Sequence, residues 1–155
     1  MIVGGTDFNI IPEEVMFKGT IRTLDKDDRD YIGKRIQEIV NQTALANREC
    51  AFIDYNKYYP VVVNDDYVTK ELINSANKIV KEENIVEIKN PALGAEDVSF
   101  YLNKVPGTFF ILGSYKKNDS EINYPHHNAK FDIDENVMWI GTACFVQFVH
   151  DHLML

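Results

Sequence analysis

No apolar run in this sequence approaches the roughly 20 residues that a membrane-spanning helix needs, so no span is expected. Cysteine is nearly absent. Cys50 and Cys144 stand far apart, which leaves no disulfide framework and no Cys-x-x-Cys metal site, and makes a reducing cytoplasm the expected compartment. Positive charge is scarce as well: 16 Lys and Arg face 24 Asp and Glu, for a formal net charge of -8. Phosphate neutralisation requires clustered Lys and Arg, and so does an anionic membrane, so both partner classes are disfavoured. The opening stretch MIVGGTDFNIIPEE lacks the basic segment and apolar core of a secretory signal. Also missing are a Gly-x-Ser-x-Gly nucleophile elbow, a P-loop and a Rossmann glycine pattern. GGTDF has glycines, but not the strand-turn-helix context.

What is present is a globular composition. Of 155 residues, 45% are hydrophobic and 26% charged, enough for one average domain or two small ones. The first strand is expected in MIVGGTDFNIIP, interrupted by Gly4-Gly5 and ended by Pro12. Residues 15–23 alternate well enough for a second, with Phe17, Gly19 and Ile21 on one face. Asp25 is a helix N-cap in type, with Asp27 and Asp28 near the positive dipole end. Ile32, Ile36, Ile39, Val40 and Thr43 recur at helical spacing, predicting an amphipathic helix from 26 to about 47. A strand over 50–58, closed by Pro60, completes a β-β-α-β order.

The second part reads α-β-α-β-α. Asp65 or Asp66 can cap a helix carrying Val68, Leu72, Ala76, Ile79 and Val80. IVEIKN predicts a short strand. GAEDVSFYLNKVPG predicts a loop and a brief helix stopped by Pro106-Gly107. TFFILGSY predicts a strand buried on both faces. Asp134 can cap a last helix that buries Val137, Ile140, Gly141, Cys144, Phe145, Phe148 and Val149. The fold class is therefore α/β. Neither part makes a complete core: a three-stranded sheet with one helix has an uncovered edge, and the second part has two strands for three helices. A piece of a larger protein, or a chain that needs a partner to close its cores, is expected.

Four constellations carry possible chemistry. His126-His127, in YPHHNAKFDIDE, offers imidazole for zinc or a similar ion. One or two histidines do not fill a tetrahedral site, adjacent side chains diverge, and histidines in polar loops are common. Glu96-Asp97 after Gly94 can be a carboxylate pair near a site, or simple compensation of a helix dipole. Arg22, among alternating apolar residues, can be an exposed side chain or a planar fork for a carboxylate ligand; Asn9 lies where the first strand ends. His150 and His152 fit the negative end of the last helix.

In order, GGTDFNIIPEEVMFKGTIRTLD, YPVVVND, GAEDVSFYLNKVPGTFFILG and HNAKFDIDE resemble the metal-dependent amidohydrolases of the aminoacylase and carboxypeptidase superfamily. The nearest group is the hippurate hydrolases, indole-acetyl-amino-acid hydrolases and N-acetyldiaminopimelate deacetylases. The resemblance runs almost end to end, and collinearity makes it more specific than any single motif. It implies a partial ferredoxin-like lid (β-β-α-β), or dimerisation domain, over 1–64, followed over 65–155 by the C-terminal α/β segment of a metallohydrolase catalytic domain.

The resemblance also implies roles. His127, four positions before Phe131, matches the family's last metal-ligand histidine, with His126 as a neighbour. Glu96 matches the acidic residue of a Gly-x-Glu-Asp-Phe-like motif near the active site, with Val98 where the family usually has phenylalanine. Asn9 and Arg22 match lid positions that help bind the substrate's amide or carboxylate. A divalent metal, Zn or Mn, is implied for the complete enzyme, and an N-acyl amino acid or small peptide-like substrate. The implied partner is the N-terminal half or a second subunit. The family's Cys-and-His metal motif and catalytic Glu pair have no counterpart here, so this chain alone is expected to be inactive. A non-catalytic dimerisation or regulatory role for the lid remnant is the alternative.

Overall fold

The computed structural model describes residues 1–116 and 124–153. Two strands, β1 (Ile2–Gly4) and β2 (Val15–Phe17), form an antiparallel pair. Four helices follow: α1 (Lys26–Ala46), α2 (Asp66–Ala76), α3 (Val98–Leu102) and α4 (Met138–Leu153). The chain is thus α/β, and it divides into two compact units. One comprises Met1–Val61 with Ala92–Gly94, the other Val62–Pro91 with Ala95–Leu155. No helix among the described residues is long and apolar enough to cross a membrane.

In the first unit, Ile2 pairs with Phe17, Val3 with Met16 and Gly4 with Val15. Gly4 permits this register, because a Cβ there would lie 2.8 Å from Val15 Cγ2. The second strand stops at Phe17, short of the expected Thr23. α1 starts as its sequence dictates: Asp25 Oδ1 accepts from the backbone N–H of Asp27 (2.7 Å) and Asp28 (3.0 Å), satisfying two donors that no helical carbonyl can reach. Its apolar face is only partly covered, with Ile36, Ile39 and Val40 exposed at 37%, 47% and 36%.

The strand expected over 50–58 does not form. That segment is held to α1 by side chains rather than by a ladder. Arg29 Nη1 donates to Tyr59 O (2.7 Å), Lys57 pairs with Asp30 (2.6 Å), and the Tyr55 hydroxyl reaches Arg29 O (3.4 Å). Gly33, buried on α1, leaves room for the Tyr55 ring. The order observed here is β-β-α plus an irregular segment.

In the second unit, Asp65 caps α2 by accepting from Val68 N (2.9 Å). Asp134 accepts from Asn136 N (3.0 Å) and opens a 3-10 turn, Glu135–Val137, that runs into α4. α2 packs on α4, burying Leu72 and Cys144. Burial pushes the Cys144 thiol up, which makes it a poor nucleophile. Phe145 and Val149, expected on the buried side of α4, are instead exposed at 61% and 47%. The helix turns Cys144 and Asp151 toward α2, which leaves Val149 on the far side of its wheel and Phe145 on its flank, with its ring against Phe110.

The expected strands at IVEIKN and TFFILGSY are absent as ladders. Residues 108–115 nevertheless alternate without a break between half-buried even positions and exposed odd ones. This is the period of a pleated strand. What it lacks among the described residues is a paired strand, although Asp134 N donates to Ser114 O (2.9 Å). Asn64 supplies one fragment of it: its side-chain amide accepts from Phe109 N (2.8 Å) and donates to Phe109 O (2.9 Å).

A polar clamp closes the α2–α4 contact. The Asp151 carboxylate accepts from Lys78 Nζ (2.7 Å), Ser75 Oγ (2.7 Å) and Gln147 Nε2 (2.8 Å). The Lys78 ammonium, then the Ser75 hydroxyl, hold the Asp151 carboxyl far below the usual carboxylate range, against the opposing effect of burial. A folded-state value below the unfolded one, about 3.9, contributes stability that is present above that value. The contribution is lost as pH falls through the folded value. Urea midpoints followed from pH 6 to pH 2 are therefore expected to fall less steeply in Asp151→Asn than in the unaltered chain, and to start lower. Parallel profiles would show that the clamp carries no linkage.

Candidate functional site

The histidine pair sits in a tight turn. Asn128 N donates to Pro125 O (3.1 Å), Phe131 N to Asn128 O (3.0 Å), and the Asn128 side chain accepts from Lys130 N (2.9 Å). Within that turn the two imidazoles are separated. His126 packs edge-on against Phe131, with centroids 4.9 Å apart at 78°. His127 has φ +69° and is exposed. A non-glycine residue in the left-handed region is uncommon, and such residues concentrate where a side chain must be presented in one direction. The turn thus distinguishes His127 from its neighbour.

Neutral imidazole is a suitable zinc or manganese donor. One donor is not a site, however, and among the described residues no group of three or more His, Cys, Asp or Glu lies close enough to hold a metal. The described residues of this chain do not by themselves fit a metal ion, which requires at least three protein ligands in a zinc hydrolase.

Glu96 is exposed just ahead of α3. Its carbonyl accepts from the hydroxyl (2.6 Å) and the N–H (3.2 Å) of Ser99, a fully buried residue. Asp97, at the cap position, makes no side-chain cap bond, so the backbone and Ser99, rather than the carboxylate pair, organise this helix start. Arg22 Nη1 donates to Leu93 O (2.6 Å), a partner that lies 71 positions away. Asn9 is exposed in the turn between β1 and β2. Asn9 and Arg22 belong to the first unit, His127 and Glu96 to the second.

His150 and His152 serve the end of α4. His152 Nδ1 lies 2.8 Å from Phe148 O, its ring packs on Phe148 at 4.1 Å, and its Nε2 is 3.7 Å from Glu71. An open groove of about 880 Å³ runs along residues 63–67 and 102–107. It contains none of the four expected site residues. The sequence pointed to its rim only through the helix cap at Asp65.

The sequence model of Peptidase family M20/M25/M40 matches residues 2–151. Among curated proteins, Thermostable carboxypeptidase 1 of Saccharolobus solfataricus is 37% identical over 141 residues, which is 90% of this chain and 35% of that protein. N-acetyldiaminopimelate deacetylase of Leuconostoc mesenteroides is 32% identical over 96% of this chain and 37% of its own length. N-acetyl-L-cysteine deacetylase of Bacillus subtilis is 28% identical over 88% of this chain and 31% of its own length. The chain therefore spans about a third of the curated relatives it matches. No solved structure matches it.

Proposed function

Because the chain belongs to Peptidase family M20/M25/M40, we propose that it is the C-terminal portion of a divalent-metal amidohydrolase that cleaves N-acyl amino acids to a carboxylate and an amino acid, in the cytoplasm. The observation that carries this reading is the family match over residues 2–151 with its collinear motifs. Two relatives are deacetylases by name, of N-acetyldiaminopimelate and N-acetyl-L-cysteine, which supports an N-acyl amino acid as substrate.

On this reading residues 1–64 are a partial ferredoxin-like lid and 65–155 the C-terminal catalytic segment. His127 supplies one ligand to zinc or manganese, a role supported by its exposed, left-handed presentation. His127 would hold such an ion together with ligands from outside the described residues, and the ion would supply Lewis-acid chemistry toward the amide carbonyl and water. Arg22 and Asn9 bind the substrate's carboxylate and amide. Arg22 spends one N–H on Leu93 O and, of the five a guanidinium carries, keeps others for a carboxylate. Glu96 lies near the active site without binding metal. The chain alone is inactive, since one ligand and no general base cannot run the reaction.

Mixing is the test. The purified chain with N-acetyldiaminopimelate and zinc or manganese is expected to show no turnover. Adding, as a separate polypeptide, the part of the Leuconostoc deacetylase that this chain does not match should restore acetate release, and a chelator should abolish it. An inactive mixture alongside an active intact deacetylase would overturn the reading.

A second reading, a non-catalytic dimerisation module, is favoured by one observation. Among the described residues each strand of the β1–β2 pair has an open edge, and Ile2 and Phe17 are exposed at 70% and 73%, the arrangement that invites pairing with another strand. A discrete dimer insensitive to chelator, with no activity on mixing, would establish it instead.

A further inference from the structure

Among the described residues, no carboxylate answers the charge of Arg22. The sequence holds 24 Asp and Glu against 16 Lys and Arg, so a cation here finds an acid easily; Arg35, for instance, pairs with Glu38 at 2.8 Å. Arg22 takes part in no salt bridge among the described residues. Its partner is a neutral carbonyl: Nη1 donates to Leu93 O at 2.6 Å. That carbonyl belongs to a short strap. Ala92–Gly94 pack with the first unit, although the residues on either side of them belong to the second. Among the described residues the strap makes no other hydrogen bond, and Leu93 is 50% exposed. A carbonyl on an exposed loop ordinarily takes its bond from water. This one is given to a guanidinium 71 positions away.

We infer that Leu93 is a positioning residue for the substrate's carboxylate: its main-chain carbonyl fixes the Arg22 guanidinium and leaves the remaining donors and the charge to the ligand. The inference rests on the reading that Arg22 binds that carboxylate. A guanidinium carries five N–H donors in one rigid plane. One bond at Nη1 therefore orients the whole fork and still leaves donors for a two-point grip on a carboxylate. Without the strap, an exposed arginine samples many rotamers, and ordering it on binding costs affinity. The bond to Leu93 O imposes that order before the ligand arrives. A neutral acceptor suits the task better than an acid. A carboxylate in the place of Leu93 O would fill the fork and repel the substrate's own charge, whereas a carbonyl tethers the cation without neutralising it.

The experiment changes the bond rather than a side chain. In one version of the full chain Gly94 is replaced by glycolic acid, which turns Leu93 O into an ester carbonyl, a weaker acceptor. The N–H lost from Gly94 donates to no backbone group among the described residues. In a control, the α-hydroxy analogue of leucine replaces Leu93, which moves the ester to the Ala92 carbonyl, away from the Arg22 bond. The probes are N-acetylleucine and N-acetylleucinamide, which lacks the carboxylate. The unaltered chain is expected to bind the acid and not the amide, with rotation about the Arg22 Nε–Cζ bond slowed in nitrogen NMR spectra. The Leu93 ester should free that rotation and weaken binding of the acid roughly two- to tenfold, the cost of ordering one flexible side chain, with unchanged circular dichroism. The Ala92 ester should do neither. Unchanged affinity for the acid in the Leu93 ester overturns the inference and leaves Arg22 as the carboxylate's ligand. An Ala92 ester that weakens binding equally also overturns it, because the strap then acts only as structure. Failure of the underlying reading looks different: acid and amide bind alike, and Arg22→Gln changes neither, which removes Arg22 from substrate recognition and the inference with it.

Discussion

His127→Asn is expected to lower kcat/KM of the reconstituted hydrolase by at least about 100-fold, with a matching loss of bound metal, while His126→Asn retains most of the activity. Removing an outer partner of a metal ligand already costs about 10–100-fold, and removing the ligand itself costs more, because a three-ligand site cannot hold its ion on two. Asparagine is the informative replacement. It tolerates the left-handed backbone that His127 adopts at φ +69°, so the turn closed by Asn128 and Phe131 survives. Alanine would strain that turn and mix a folding defect into the readout. His126 meets the edge of Phe131 at 4.9 Å, a contact worth about 0.5–1.5 kcal/mol of local order, so its loss should appear in stability and only weakly in turnover. Metal content by atomic emission and kcat/KM on an N-acetyl amino acid check both variants. Full activity and full metal occupancy in His127→Asn would remove His127 from the site.

What the sequence made legible follows from the range of the interactions involved. Helix starts are written locally. Asp25, Asp65 and Asp134 each accept from N–H groups two or three positions ahead, so the sequence alone points to Asp25 and Asp134 and narrows the third to Asp65 or Asp66. A strand is a relation between two segments, and propensity reports only one of them. Residues 108–115 and 50–58 have strand composition, and the former has strand period, yet no neighbour among the described residues turns either into a ladder. The same logic hid the Asp151 clamp. Ser75 and Asp151 are 76 positions apart, and each reads as an ordinary polar residue until α2 and α4 pack. Arg22 was legible as a guanidinium out of place, but its carbonyl partner at Leu93 was not. The His127 turn falls between these cases: the histidine pair was plain, while the backbone angle that separates the two rings depends on Asn128 and Phe131 closing the loop behind them. The family, in contrast, was legible in full, because it rests on the order of motifs along the chain rather than on contacts between them.

Gly33→Ala should destabilise the first unit by about 1–2 kcal/mol, although helix propensity predicts the opposite sign. Alanine is favoured over glycine in a helix interior by about 1 kcal/mol, and position 33 lies well inside α1. A Cβ there, however, would stand 2.6 Å from Tyr55 Cε1, 2.8 Å from Cζ and 3.0 Å from the hydroxyl oxygen. Contacts this short force the ring to move, and overpacking of this kind costs about 1–3 kcal/mol. The ring cannot move alone. Its hydroxyl reaches Arg29 O, and the segment that carries it is tied to α1 by Arg29 to Tyr59 O and by Lys57 to Asp30, so displacement loosens contacts that stand in for a strand ladder there. The steric cost therefore outweighs the propensity gain. Tyr55→Ala removes the obstacle, and in that background Gly33→Ala should become stabilising by up to about 1 kcal/mol. Urea unfolding of the two single variants and the double variant measures the coupling directly. A stabilising Gly33→Ala in the presence of Tyr55, or equal effects in both backgrounds, would show that the ring does not pack on Gly33 in solution.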